Sequence, residues 1–260
     1  LHVAYPDGSS EDVPVTVNVK ANKDQYQPEL ITPAVDQNAP VDPTSVVTNQ
    51  DKLPKGTTYS WTKEPNTETA GQPATGSLHV AYPDGSSEDV PVTVNVKANK
   101  DQYTPNPVTT PVKTNENTTL TEGQAKDAIA NNSELPDGTT YTWSKQPDTK
   151  KYGDTTGQVT VSYPDGTSET VTVPVHVNSE AETNQPTVST PTVDQNAEVD
   201  PNSVVTNKDN LPKGTTYSWT KEPNTSEAGQ TANGNLHVAY QDGANEAVPA
   251  TVNGKDNKVQ

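Results

Sequence analysis

Four histidines are the residues of this chain best suited to acid–base chemistry near neutral pH. His2, His79 and His237 hold one position of a recurring segment, and His176 holds another. No serine, histidine and aspartate spacing stands out in a chain so rich in Ser and Asp, and no glycine-rich phosphate loop or His-Glu-x-x-His motif occurs. We therefore predict solvent-facing strand histidines without a catalytic role.

Two acidic pairs are the other source of acid and base groups. Glu11 with Asp12 and Glu88 with Asp89 are neighbours in segments that alternate like strands, so the members of each pair point to opposite faces and do not form a facing dyad. No loop of the EF-hand type occurs, although calcium at acidic junctions stays an open alternative. We predict no catalytic, cofactor-binding or metal site, and a protein that is not an enzyme.

Charge and composition exclude further classes of function. The chain has 34 acidic and 17 basic residues, the latter all Lys, and its net charge of −17 repels nucleic acid and anionic membranes. It has no Cys for disulfides. No apolar run reaches the roughly 18 residues of a membrane span, and no signal peptide opens at Leu1. We expect no nucleic-acid partner and no membrane insertion in this stretch.

The elements that position these residues are repeats. Residues 1–26 recur letter for letter at 78–103, and related turns place Tyr5, Tyr82, Tyr163 and Tyr240 at intervals of 77, 81 and 77 residues. This period is typical of small independent domains in tandem. We predict four parts: 1–26, the C-terminal fragment of a repeat cut from a longer protein; 27–103; 104–181, with a longer helix; and 182–260.

Alternating residues predict the strands of each repeat. Val90, Val92, Val94 and Val96 share one face of a half-buried strand, and Pro91 favours an edge or a non-donating position. Before this strand, the segment 82–86 favours a type I turn with its glycine in the left-handed region. An upstream strand carries one tyrosine and one tryptophan per repeat, which we assign to the core: Tyr59 with Trp61, Tyr141 with Trp143, and Tyr217 with Trp219.

Helical signals precede the aromatic strand. Thr121 with Gln124 predicts a capping box in the middle repeat, whereas Asp42 and Asp200, each before a proline, predict shorter turns that end near Val47 and Val205. The fold class is therefore mainly all-β: tandem small β-sandwich domains, largely antiparallel, each with one short helical segment. We expect the domains to form an extended rod.

Taken together, LPKGTTYSWTKEPNT and the later AYPDGSSEDVPVTV resemble the Rib/alpha-like repeats, including their YPDG-type variants. The resemblance covers each repeat nearly end to end. It implies an immunoglobulin-like domain, repeated in the stalks of cell-wall-anchored surface proteins of Gram-positive bacteria. Whole proteins of this kind have adhesion or biofilm roles, so the resemblance implies an extracellular location, with the anchor outside residues 1–260.

Lys63, Lys145 and Lys221 share the sequence parity of the core aromatics. Gram-positive stalk domains sometimes contain Lys–Asn isopeptide bonds, but the partner position Asn95 becomes His176 in the middle repeat, which favours exposed lysines instead. The last repeat departs from the pattern at Gln241, Ala250 and Gly254, so we expect its final hairpin to be the weakest.

The leading hypothesis is a structural stalk that projects another region of the protein away from the cell wall, with neighbouring repeats of the same chain as partners. The alternative is a binding module for host glycans or proteins, or for like repeats on other cells. Exposed side chains at Tyr26, Tyr103 or Tyr152 would favour binding. A cell-wall hydrolase would need a catalytic constellation that the sequence lacks. We also expect residues 1–26 to be loose unless they dock on a neighbouring repeat.

Overall fold

The computed structural model describes residues 1–256, so the last four residues of the predicted repeat 182–260 lie outside the described residues. The chain divides into two compact units. The first comprises Leu1–Thr104 with Tyr163–Thr167, and the second comprises Pro105–Ser162 with the described residues from Ser168 onward. Within residues 1–256, no helix has the length and apolar character needed to cross a bilayer.

The first unit holds a short hairpin and one complete four-stranded sheet. The hairpin consists of β1 (His2–Ala4) and β2 (Ser10–Asp12). The sheet consists of β3 (Ala34–Val35), β4 (Thr58–Lys63), β5 (Pro73–Ala81) and β6 (Ser87–Val96), in the order β3-β6-β5-β4. The pair β3–β6 is parallel and the others are antiparallel. Two helices of one turn are α1 (Asn22–Gln25) and α2 (Asn99–Gln102).

The core of the first repeat follows the predicted alternation. Leu78 and Val80 on β5, with Val92 and Val94 on β6, are buried on one face of the sheet. The connection between β3 and β4, called the crossover below, covers this face. Its 3-10 turn Pro43–Val46 buries Val46 in the same cluster. Each domain thus pairs one sheet layer with a layer of helical turns and a small β-bridge, here Leu30 with Val47.

The turn between β5 and β6 has the predicted conformation. Tyr82 N donates to Ser86 O at 2.9 Å, Gly85 N donates to Tyr82 O at 3.0 Å, and Gly85 has φ of 84°, the left-handed region that favours glycine. Pro91 pairs with Ser77 of β5, whereas β3 reaches only the end of β6. The proline therefore lies where no neighbouring strand needs its missing N–H.

The second unit repeats this topology twice. The middle sheet consists of β7 (Val112–Asn115), β8 (Thr140–Lys145), β9 (Gly153–Ser162) and β10 (Ser168–Asn178), in the order β7-β10-β9-β8. The last sheet consists of β11 (Thr192–Val193), β12 (Thr216–Lys221), β13 (Thr231–Ala239) and β14 (Asn245–Gly254), in the order β11-β14-β13-β12. The helices are α3 (Glu122–Asp127), α4 (Glu180–Thr183) and α5 (Pro201–Val204). The 3-10 turns outside Pro43–Val46 are Gln50–Lys52, Asn132–Glu134 and Lys208–Asn210.

The predicted caps of the crossovers are present. Thr121 and Gln124 form a capping box at α3, and the side chains of Asp42 and Asp200 accept backbone hydrogen bonds at the start of their turns, which end at Val47 and Val205. Capping satisfies N–H groups that a short helical segment leaves unpaired. The prediction of tandem, mainly β domains with short helical segments is confirmed.

Each tryptophan fastens its crossover to the sheet. The indole N–H of Trp61 donates to Val41 O at 2.7 Å, that of Trp219 donates to Val199 O at 2.7 Å, and that of Trp143 donates to Thr121 O at 2.9 Å. These carbonyls lie at or just before the caps of the crossovers. Because Trp61 and Trp219 also pack on the core clusters, they act as half-buried anchors with a satisfied polar atom.

Candidate functional site at the repeat junctions

A carboxylate caps the helix that follows residues 1–21. The helix α1 begins after Ala21, which has no side-chain oxygen to cap it. The backbone N–H of Asn22 donates instead to Asp84 Oδ2 at 2.7 Å, and the N–H of Lys23 lies 3.3 Å from Ser86 Oγ. The cap is therefore provided by the β5–β6 turn, some sixty residues further along the chain.

The same arrangement recurs at α2, which follows Ala98. The N–H of Asn99 donates to Asp165 Oδ2 at 2.6 Å, and the N–H of Lys100 lies 3.4 Å from Thr167 Oγ1. The ring of Tyr103 lies 6.3 Å from that of Tyr163, centroid to centroid. These contacts explain why Tyr163–Thr167 belongs to the same compact unit as the first repeat.

The third junction keeps the aspartate and adds a local cap. The N–H of Glu180 donates to Asp242 Oδ2 at 2.7 Å, and Gln241 N–H donates back to a carboxylate oxygen of Glu180 at 3.1 Å. Ser179 and Glu182 form a capping box on α4. The three helices α1, α2 and α4, called linker helices below, thus each contact the turn of the repeat that follows.

Each junction aspartate is also held by hydrogen bonds within its own turn. The second oxygen of Asp84 accepts the N–H and the hydroxyl of Ser86, at 3.0 and 2.7 Å. These bonds, with that from Asn22, hold the pKa of Asp84 below its usual value. At Asp165, partial burial acts to raise the pKa. Hydrogen bonds from Thr167 and Asn99 together lower it by more, so that the pKa of Asp165 is also below its usual value. Asp84 and Asp165 are therefore ionised acceptors at neutral pH.

The histidines and acidic pairs singled out in the sequence do not assemble into one site. His79 Nδ1 lies 2.9 Å from Asp89 Oδ1 on the neighbouring strand, whereas Glu88 accepts the hydroxyl hydrogen bond of Tyr82 at 2.7 Å. The neighbouring residues Glu88 and Asp89 thus lie on opposite faces of β6. Across residues 1–256, no group of three or more His, Asp or Glu is placed to hold a metal ion.

The lysines considered for isopeptide bonds are exposed, which confirms the prediction made for them, even though they share the sequence parity of the core aromatics. The pairing of β4 with β5 shifts register between Trp61 and Lys63, and the same shift recurs before Lys145 and Lys221. This bulge breaks the strict alternation of side chains. All three lysines are exposed, as is Asn95.

The junction aspartates were missed from the sequence, although a signal was present. Asp84, Asp165 and Asp242 recur at one position of the turn, and the helices α2 and α4 lie within a few residues of the final strand before them. The turn chemistry accounts for one carboxylate oxygen alone. The partner of the second oxygen lies in the preceding linker, and a local pattern does not reveal that pairing.

Comparison with known proteins identifies the family of these repeats. The Rib domain model matches residues 22–98, 99–179 and 180–256, most of the chain. The chain belongs to the Rib domain family. It is 31% identical over 273 residues to the C protein alpha-antigen of Streptococcus agalactiae serotype Ia, covering 97% of this chain and 26% of that protein. The chain thus spans about a quarter of the length of this curated relative.

Two solved streptococcal structures are similar to parts of the chain. A Rib structure from Streptococcus pyogenes is 36% identical, with a TM-score of 0.29, and covers 30% of this chain and 100% of that one. The SrpA adhesin from Streptococcus sanguinis is 15% identical, with a TM-score of 0.31, and covers 55% of this chain and 92% of that one.

Family membership confirms the resemblance and fixes the general class of the protein. Rib domains are structural, non-enzymatic repeats of Gram-positive surface antigens. The boundaries that we drew from the sequence, at 27, 104 and 182, stay predictions.

Proposed function

We propose that these repeats form part of a stalk that projects another region of a bacterial surface protein away from the cell wall. The length of the stalk is set by the number of repeats. The protein is extracellular in this proposal and is anchored to the wall through a region outside these residues. The observation that carries the proposal is the aspartate cap, which joins each linker helix to the following turn at three junctions.

A cap of this kind restricts the linker. The bond from a backbone N–H to an ionised carboxylate is directional and stronger than a neutral hydrogen bond. Because the carboxylate is also held by its own turn, it does not follow a rotation of the linker helix, so that such a rotation would break the cap. A linker bound in this way departs from the behaviour of a flexible chain.

Charge acts in the same direction. The net charge of −17 is spread over similar repeats, so that folding one repeat back on another brings like charges together. We propose that the array is therefore extended. Its partners are the neighbouring repeats of the chain, without nucleic acid or membrane insertion.

Small-angle X-ray scattering of the whole chain tests this proposal. A compact globule of this length has a radius of gyration of about 18 Å, whereas three small domains in line give roughly 35 Å. We expect a value near the larger figure, with a broader distribution of dimensions when Asp84, Asp165 and Asp242 are all replaced by Ala. The control is Asp7→Ala, which leaves all three junctions intact. A value near 18 Å for the parent chain would contradict the stalk.

A second candidate function is recognition of host glycans or proteins, or of like repeats on other cells. Tyr26 and Tyr103 favour it, because both tyrosines are exposed (41% and 37%), whereas Tyr152 is half-buried. Exposed aromatic rings are the usual stacking surface for sugars and the usual anchors of interfaces. A glycan array and a bead-aggregation assay, run with the parent and with Tyr26→Ser/Tyr103→Ser, test this candidate. Signals that are absent, or that survive in the variant, would count against these tyrosines.

A further inference from the structure

His176 bridges two carboxylates at the end of the middle repeat. It lies on β10, with Nδ1 2.6 Å from Asp154 Oδ1 on β9 and Nε2 2.9 Å from Glu182 Oε1 on α4. The imidazole therefore joins the sheet of the middle repeat to the helix that leads to the last repeat.

These two contacts fix the protonation state of the ring. An ionised carboxylate only accepts hydrogen bonds, and a neutral imidazole has a single N–H to donate. Both bonds of His176 exist together only when both nitrogens carry a proton. The geometry is that of the imidazolium cation, held between Asp154 and Glu182.

Glu182 is also part of the junction. Its other oxygen accepts the N–H and the hydroxyl of Ser179, at 2.8 and 3.1 Å, in the capping box of α4. The first N–H of that helix, from Glu180, donates to Asp242 of the last repeat. A change in the charge of His176 thus reaches the residue that holds the start of α4.

The other repeats lack this arrangement. Asn95 and Asn253 hold the strand position of His176, and the helices α1 and α2 begin after alanines without a side-chain cap. Of the linker helices in residues 1–256, α4 alone is tied to a histidine. Replacing His176 with Asn would give the middle repeat the residue that its neighbours carry.

We propose that His176 is a proton-operated clasp, which as imidazolium ties α4 to the sheet of the middle repeat. On losing the Nε2 proton to solvent, the ring keeps the shorter Nδ1–H bond to Asp154 and releases Glu182. The linker between the middle and last repeats is then held more firmly in acid than in alkali. The linkers capped by Asp84 and Asp165 do not share this response.

The charges around the ring favour the cation. Asp154 faces it from β9 and Glu182 from α4, while Lys113 lies opposite it on β7 and is exposed. Hydrogen bonds to Asp154 and then to Glu182 raise the pKa of His176 above its usual value, against a smaller opposing effect of burial. A raised pKa in the folded state means that the stabilisation is complete below the ordinary histidine pKa, and is lost as pH rises through the folded value.

Nuclear magnetic resonance on the whole chain tests the clasp. We would follow the imidazole nitrogens of His176, and the amide signals of Ser179 and Glu182, across pH values from roughly 5 to 9, the range in which histidine titrates. We expect both nitrogens to be protonated at the acid end, and the two amides to titrate with the same midpoint as the ring. Glu182→Gln should shift that midpoint downward.

Two matched variants separate the clasp from ordinary titration. His176→Asn should abolish the amide titration of α4 in this range, whereas His79→Asn, which removes an exposed strand histidine, should leave it unchanged. A neutral ring of His176 at the acid end would overturn the proposal. Amide titration of Ser179 and Glu182 that persists in His176→Asn would also overturn it.

Discussion

Residues 1–26 and 78–103 have identical sequences and different surroundings. The second copy lies in a complete sheet, between β3 and β4 in the strand order. The first copy has a two-stranded hairpin and, among residues 1–256, no further strand beside it. Features that agree between the copies depend on local residues or on partners that both copies have, and features that differ depend on partners that one copy lacks.

The turn and the linker helix have the same structure in both copies. Tyr5 N donates to Ser9 O at 2.8 Å, as Tyr82 N does to Ser86 O at 2.9 Å, and the turn glycines have φ of 85° and 84°. The helices α1 and α2 also start at equivalent residues. Local turn residues are therefore enough to specify the turn. The linker helix forms in both copies because each receives a cap from the repeat that follows it.

The valine strand differs. Val94 is fully buried, whereas its counterpart Val17 is 76% exposed; Leu78 is fully buried, whereas Leu1 is 75% exposed. Alternation marks which face can be buried, but the sheet and the crossover have to supply the surface that buries it. The same residues therefore contribute stability in one copy and almost none in the other.

The largest expected difference between the copies concerns Leu78. Leu78→Ala removes a fully buried side chain and should lower the free energy of unfolding of the first repeat by about 2–5 kcal/mol. Leu1→Ala is the matched control and should change it by less than about 0.5 kcal/mol. Denaturant unfolding measures both. Equal effects would mean that the first copy is also packed.

The next effect concerns the aspartates of the two turns. Asp84→Ala removes the acceptor of the Asn22 N–H, whereas Asp7 binds its own turn through Ser9. Amide hydrogen exchange at Asn22 should be several-fold faster in Asp84→Ala and unchanged in Asp7→Ala. Unchanged exchange in both variants would show that Asp84 does not hold the linker.

Ionisation of the tyrosines should separate the copies in alkali. Burial, followed by the hydrogen bond to Glu88, strongly raises the pKa of Tyr82, whereas a hydrogen bond to Glu11 raises that of the exposed Tyr5. Because the pKa of Tyr82 is raised in the folded state, its stabilisation is complete below about pH 10 and is lost above it. Ultraviolet titration should show Tyr5 ionising first, and Tyr82→Phe should flatten the alkaline loss of stability. Simultaneous ionisation would contradict the difference in burial.

The smallest effect is expected at the histidines. His79 pairs with Asp89 and His2 with Asp12, and all four side chains are substantially exposed. Exposed ion pairs contribute little to stability. His79→Asn and His2→Asn should both leave the unfolding midpoint unchanged in thermal denaturation, and a marked loss in either would reveal a structural role.

The same comparison explains what the sequence could predict. The turn at Gly85, the caps at Asp42, Thr121 and Asp200 and the alternating valines were read correctly, because each depends on residues close in the chain. The bulge before Lys63 was not visible in the sequence, because it forms only when β4 pairs with β5 and breaks the alternation that parity assumes.

The candidate site was beyond local patterns for a related reason. Asp84 is recognisable as a turn residue, but its second bond goes to Asn22 in the preceding linker. The bridge from His176 to Glu182 likewise joins a strand position to a helix whose orientation depends on packing. Such contacts depend on how the elements pack, which the local sequence does not specify.

The most direct test of the junction is a distance distribution between neighbouring repeats. The chain has no cysteine, so Lys150→Cys and Lys213→Cys, at exposed positions of the middle and last repeats in the second unit, accept spin labels without further changes. Double electron–electron resonance should give one narrow distribution that broadens in Asp242→Ala and stays narrow in Asp7→Ala. A broad distribution in the parent, or one that Asp242→Ala leaves unchanged, would contradict a junction fixed by the aspartate cap.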